Sequence, residues 1–143
     1  MTDLSAGYFT TQEGAEPDPE FPPQFASRDD IPFVQLSPGV RFKPVFGRNL
    51  LINHVYFDPH TEVPMHQHLE EQGGTVLEGE LEFEMGGEKR ILRPGDVYIA
   101  PSNVLHAARA GEQPCVVLDI FSPPRSGFRE MLERAAQEQG AQR

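Results

Sequence analysis

Several shortages narrow what this 143-residue chain is. It has one cysteine, Cys115, so no intrachain disulfide forms, and a reducing, cytoplasmic compartment is the expectation. No stretch approaches the roughly 18 consecutive apolar residues of a membrane-spanning helix. The N-terminus lacks the basic start and apolar run of a secretory leader. Positive charge is scarce: 12 Lys and Arg stand against 22 Asp and Glu, for a net charge of −10 and a pI near 4.8. That balance argues against nucleic acid and against anionic membrane surfaces as partners. There is no tryptophan, and no alternation of strand and helix patterns that a parallel α/β sheet needs.

What is present suits one domain with one core. Residues 1–30 form an acidic, Pro-rich arm with seven acids and one base, which supplies −6 of the net charge. It has too few apolar residues for a core of its own, so it is either a loose tail or an arm laid over the domain through Phe21 and Phe25. Residues 31–125 read as short strands ("VRFKPVF", "LLINHVYF", "TVLEG", "ELEFEM", "KRILR", "DVYIA", "CVVLDIF") bounded by Gly, Pro, Asn or Asp. That rhythm predicts an all-β sandwich or barrel. In "ELEFEM" the alternation turns Leu81, Phe83 and Met85 inward and the glutamates outward, and Gly86-Gly87 supplies a tight hairpin turn. In "CVVLDIF" one face is Cys115, Val117, Asp119 and Phe121, and the other is Val116, Leu118 and Ile120. Both faces are apolar enough to need cover, which favours a homodimer. Residues 126–143 predict a C-terminal helix and tail, capped by Ser126, with Phe128, Met131, Leu132 and Ala135 on one stripe and Gly140 as its stop.

His66 and His68 stand two apart on an expected strand, so their side chains leave the same face and converge. Alone the spacing is weak. A second segment, "GDVYIAPSNVLHAARA", brings Gly95, Pro101 and His106. The two segments together resemble the cupin superfamily: His66, His68, Gln72 and Gly79 match its first motif, and Gly95, Pro101 and His106 its second. The resemblance implies a double-stranded β-helix, the jelly-roll barrel. His60 and Asn103 stand where the motifs have glycine, Ala110 where they have asparagine, and Gln72 where many members have a glutamate ligand. Glu70, Glu71 and Gln72 compete for that fourth place. The spacing to Gly79 and a glutamine-type sub-group favour Gln72, with Glu71 the main rival. The resemblance thus implies one divalent transition metal (Zn, Ni, Fe, Mn or Cu) on His66, His68, Gln72 and His106. Three imidazoles and an amide leave the ion its full charge, which favours Lewis-acid chemistry over oxygen activation.

Asp119 interrupts an apolar strand. A carboxylate there is either a functional group with a shifted pKa or an aspartate hydrogen-bonded near a strand end. The ending "DIFSPPRSGF" resembles the pectin-degradation cupins, which open cyclic 4,5-unsaturated uronates to linear keto sugars. That likeness implies Asp119 as a proton shuttle, Arg125 as a carboxylate clamp and Phe121 against the substrate, which is a small molecule. Gly127 replaces an acidic residue usual in that group. Three other readings stay open: a polyketide cyclase-like cupin, a non-catalytic cupin binding a metal or small ligand, and a metal-dependent dioxygenase. The absence of tryptophan and the few aromatics placed inside the barrel count against the cyclase.

Overall fold

Residues 1–141 are described by the structure, a computed structural model, with side chains through residue 138. Ten strands follow a short 3-10 turn at Arg28–Asp30: β1 Val34–Ser37, β2 Val40–Phe46, β3 Leu51–Phe57, β4 Glu62–His66, β5 Glu71–Glu78, β6 Leu81–Met85, β7 Glu88–Leu92, β8 Val97–Ala100, β9 His106–Ala110 and β10 Cys115–Ser122. One helix, α1, spans Phe128–Ala141. The strands form two antiparallel sheets, ordered β1-β2-β3-β10-β5-β8 and β4-β9-β6-β7, which close as a jelly-roll barrel.

Why these residues make these strands is legible in burial. Leu81 and Phe83 on β6 are buried, and β10 turns Cys115, Val117 and Phe121 inward, as alternation predicts. Gly86 and Gly87 take positive φ in the β6–β7 hairpin. His60 and Asn103 also take positive φ, at 61° and 65°. The backbone therefore keeps the left-handed turns that the family motif builds with glycine, using two of the side chains that best tolerate them.

The interior of the larger sheet is organised in cross-strand rows. Val40, Phe57 and Cys115 form one row, and Phe42, Val55, Val117 and Val76 the next. The third row is Pro44, Asn53, Asp119, Gly74 and Tyr98; the fourth is Phe46, Leu51, Phe121, Gln72 and Ala100. Two rows are apolar throughout. The other two carry the buried polar groups.

The structure corrects three expectations and adds a strand. His68 does not share a strand with His66: β4 ends at His66, and His68 sits in the loop beyond it. The segment after Val104 is a strand, β9, although its Ala-rich text has low strand propensity. Helix α1 begins at Phe128, with the Gly127 carbonyl accepting from Met131 N at 3.0 Å, so Ser126 is not the cap; and it runs through Gly140 to Ala141. Its stripe behaves as expected, with Phe128 buried and Met131, Leu132 and Ala135 against the core.

The arm is docked along its second half only. Arg48 pairs with Asp18 and Glu20 and lies over the Phe21 ring at 4.7 Å. Arg28 donates to Tyr56 Oη at 2.6 Å, and Lys43 Nζ donates to the Arg28 carbonyl at 2.7 Å. Phe25 takes no part, being fully exposed.

Candidate metal centre and its pocket

Three histidines meet at one end of the barrel. Their ligand-type nitrogens all lie within 4.8 Å of one another. His66 comes from the end of β4, His68 from the following loop and His106 from the start of β9. Each ring is oriented by a main-chain carbonyl: His66 Nδ1 to Pro64 O at 2.8 Å, His68 Nδ1 to Glu70 O at 2.9 Å, and His106 Nδ1 to Val104 O at 2.8 Å. A carbonyl only accepts, so each Nδ1 carries the proton and each Nε2 presents a lone pair. Burial also pulls His66 and His106 below the ordinary imidazole value, which keeps both rings neutral.

Gln72 completes the group from the second residue of β5. Its Oε1 lies 3.1 Å from His68 Nε2 and 3.2 Å from His106 Nε2. Its Nε2 donates to Tyr98 Oη at 2.6 Å. Three imidazole lone pairs and an amide oxygen therefore face one another with no hydrogen between them. Such a cluster of acceptors fits a cation. Two atoms bound to one ion at about 2.1 Å sit about 3.0 to 3.4 Å apart, which matches the Gln72 distances.

Glu71, the expected rival for the fourth place, is exposed, on the strand face opposite that of the buried Gln72. The buried acid is Glu70. Its Oε1 lies 3.5 Å from His68 Nδ1, and its Oε2 accepts from Ser126 N at 3.4 Å. Glu70 thus ties the histidine loop to the segment that follows β10. His54 is half-buried on the outer face of β3, and His60 is exposed in a turn; neither reaches the cluster.

A pocket opens beside the histidines, with roughly 540 Å³ of space including its mouth. Asp119, Phe121 and Arg125 all line it, together with His66, Gln72 and His106. Asp119 is partly buried on β10, opposite Asn53 and Gly74, and accepts a short hydrogen bond from Tyr98 Oη. Burial raises its pKa to about 6, while the Tyr98 and Gln72 hydrogen bonds hold it down. Burial, with the Asp119 charge beside it, raises Tyr98 well above the phenol range, so that group stays protonated. Arg125 is half-buried at the rim, 5.7 Å from the Phe128 ring. Burial lowers its pKa and nearby Glu70 raises it. Among the described residues it makes no ion pair.

Two features of the site are not legible in the sequence alone. Tyr98 and Asn53 both belong to it, and only strand register brings them there. Asn53 is 1% exposed, lines the pocket and has its Oδ1 enclosed without a partner. The pocket is also richer in aromatics than expected: Phe42, Phe57, Phe83, Phe121 and Phe128 all line it. Phe128 stacks on Phe42 at 4.9 Å and meets Phe121 edge-on at 5.6 Å. Interior aromatics are therefore not scarce, and their supposed scarcity no longer counts against an aromatic substrate.

Comparison with known proteins agrees with this geometry. Residues 53–121 match the family model described as Cupin domain. The chain is 33% identical over 102 residues to the pectin degradation protein KdgF of Dickeya dadantii, covering 70% of this chain and 93% of that one. Among solved structures, KdgF from Halomonas sp. superposes with a TM-score of 0.70 at 34% identity, covering 73% of this chain and 97% of the other. An RmlC-like cupin from Shewanella frigidimarina gives 0.71 at 26% identity, covering 76% and 97%.

Proposed function

The chain belongs to the cupin family, and on that premise we propose that it is a metal-dependent enzyme that opens the ring of a small unsaturated uronate or a similar oxygenated carbonyl acid. The observation that carries this reading is the ring of acceptors: three Nε2 lone pairs and the Gln72 oxygen converge beside a pocket that also holds Asp119 and Arg125. A divalent ion held by His66, His68, Gln72 and His106 would supply Lewis-acid polarisation of a substrate oxygen. Likeness to the KdgF proteins supports the substrate class.

The chain's own groups divide the remaining work. The Arg125 guanidinium, which makes no ion pair among the described residues, takes the substrate carboxylate in a two-point contact. Its place at the rim directs the reacting end of the substrate inward. Phe121 lies 5.7 Å from the His68 ring and forms an apolar wall against the sugar face. Asp119, with a pKa of about 6, sits near the optimum for taking and returning a proton at neutral pH. It removes the proton of the hemiacetal hydroxyl as the ring carbon–oxygen bond breaks. It then returns a proton to the alkene carbon, leaving an aldehyde and a ketone. No atom is gained or lost, so the step needs no co-reactant.

The aromatic walls favour a second reading, in which the same centre promotes cyclisation of a bulkier aromatic or polyketide-like acid. One experiment separates the two. Metal-loaded and metal-stripped protein are assayed on a 4,5-unsaturated galacturonate and on aromatic β-keto acids. Metal-dependent loss of the uronate's conjugated absorbance is expected. Turnover confined to the aromatic acids, or a rate unaffected by stripping, rejects the uronate reading.

A further inference from the structure

Asp119, Gly74 and Tyr98 lie side by side on three neighbouring strands, β10, β5 and β8. The middle residue has no side chain, and the outer two meet across the space it leaves. A Cβ built on Gly74 would fall 2.5 Å from Tyr98 Cε1 and 2.6 Å from Asp119 Oδ1. Any other residue there would drive the pair apart. Tyr98 is 5% exposed, and its ring stacks on Phe83 of the opposite sheet at 4.1 Å. The hydroxyl is thus held between Gln72 and Asp119.

That hydroxyl has one proton. Asp119 Oδ1 can take it, and Gln72 Nε2 can only give. With the phenol proton committed to Asp119, the Tyr98 oxygen must accept, so the amide nitrogen of Gln72 must face Tyr98. The amide oxygen then faces His68 and His106. The reversed amide is chemically competent in itself: its NH2 would donate to the same two Nε2 lone pairs and close the site to a cation. Tyr98, which takes the amide nitrogen at 2.6 Å, opposes that reversal together with the neighbouring Asp119 carboxylate. The same contact ties Asp119 Oδ1 into this network, in which the Gln72 side chain is a second donor to the carboxylate.

We propose that Tyr98, seated in the slot that Gly74 leaves, is a positioning residue that aims the Gln72 oxygen at the histidines and orients Asp119 toward the substrate. The inference rests on the metal-centre reading but not on the identity of the substrate.

The test uses the difference between an amide and a carboxylate. A carboxylate has two equivalent oxygens, so no partner is needed to choose between its ends. Cobalt(II) affinity is titrated by its visible absorbance in the wild type, Tyr98→Phe, Gln72→Glu and the double variant, with folding checked by thermal melts. Tyr98→Phe removes one oxygen and keeps the ring on Phe83. It is expected to weaken cobalt binding by about 10- to 100-fold when residue 72 is glutamine, the range for outer partners of metal ligands. It is expected to change binding by less than about threefold in the Gln72→Glu background. Equal losses in both backgrounds, or no loss in either, overturn the inference and leave the metal centre standing. A wild type that takes up no cobalt overturns both. If Tyr98→Phe does not fold, Gly74→Ala, which crowds the same pair, replaces it in both backgrounds, and the same outcomes support or overturn the inference.

Discussion

Strand β5 divides the barrel's interior in two. At one end Val76 lies in a row with Val117, Val55 and Phe42, all buried and apolar, the last three forming the apolar floor of the pocket. Two residues earlier Gly74 lies in a row with Asp119, Asn53 and Tyr98, and two before that Gln72 lies in the next row, beside Phe121. The same strand therefore serves a hydrophobic core and a polar site within a few residues. The apolar rows stabilise the fold by removing surface from water, at about 25 cal/mol per Å². The polar rows bury two amides and a phenol and partly bury a carboxyl, which costs free energy wherever a partner is missing, as at Asn53 Oδ1. The contrast teaches that this end of the barrel keeps polar groups inside at some expense to stability.

Mutations at the two ends are expected to separate activity from stability. The largest effect belongs to Asp119→Asn. It is expected to lower kcat on the unsaturated uronate by about 10²- to 10⁴-fold, the span of general acid–base catalysis, while elemental analysis finds the metal retained. Unchanged turnover would remove Asp119 from the proton transfers. The same variant reports on electrostatic cost in metal-stripped protein. The folded wild type holds the Asp119 proton up to about pH 6, whereas an unfolded chain releases it near 3.8. Between those values the folded state binds more protons, so wild-type stability falls as pH rises through that window. Asp119→Asn lacks this penalty. Relative to wild type, its urea-unfolding free energy is expected to rise by on the order of 3 kcal/mol between pH 4 and pH 7.

At the apolar end the expectation reverses. Val76→Ala removes two buried methyl groups from the one member of that row that does not line the pocket, and is expected to cost about 2–3 kcal/mol in urea unfolding, with cobalt affinity within about threefold of wild type. A variant equally stable but metal-deficient would show that the two ends are not separable. The smallest effect is placed at the rim. Arg125→Lys keeps the charge but loses the two-point grip, so KM for the uronate is expected to rise about tenfold, with kcat changed less.

How much of this was legible in the chain differs between the same two regions. Alternation in "ELEFEM" and "CVVLDIF" identified inward faces because a strand's period of two is local information. The spacing of His66, His68, Gln72 and His106 was legible because a family motif records it. Tyr98, Asn53 and Gly74 were not, since each acquires its role only through the register of β3, β10, β5 and β8. Likewise the sequence offered Glu70, Glu71 and Gln72 as neighbours. The strand's two faces then separate the last two, with Gln72 buried inside and Glu71 exposed outside. β9 was hidden by its alanines, whose weak strand preference is overridden by pairing with β4 and β6.

The central claim is that four side chains from separate elements hold one cation. An anomalous-difference map from crystals of the cobalt-loaded protein tests it most directly. The account predicts a single strong peak about 2.1 Å from His66 Nε2, His68 Nε2, His106 Nε2 and Gln72 Oε1. No peak there, or a peak ringed by other side chains, would contradict it.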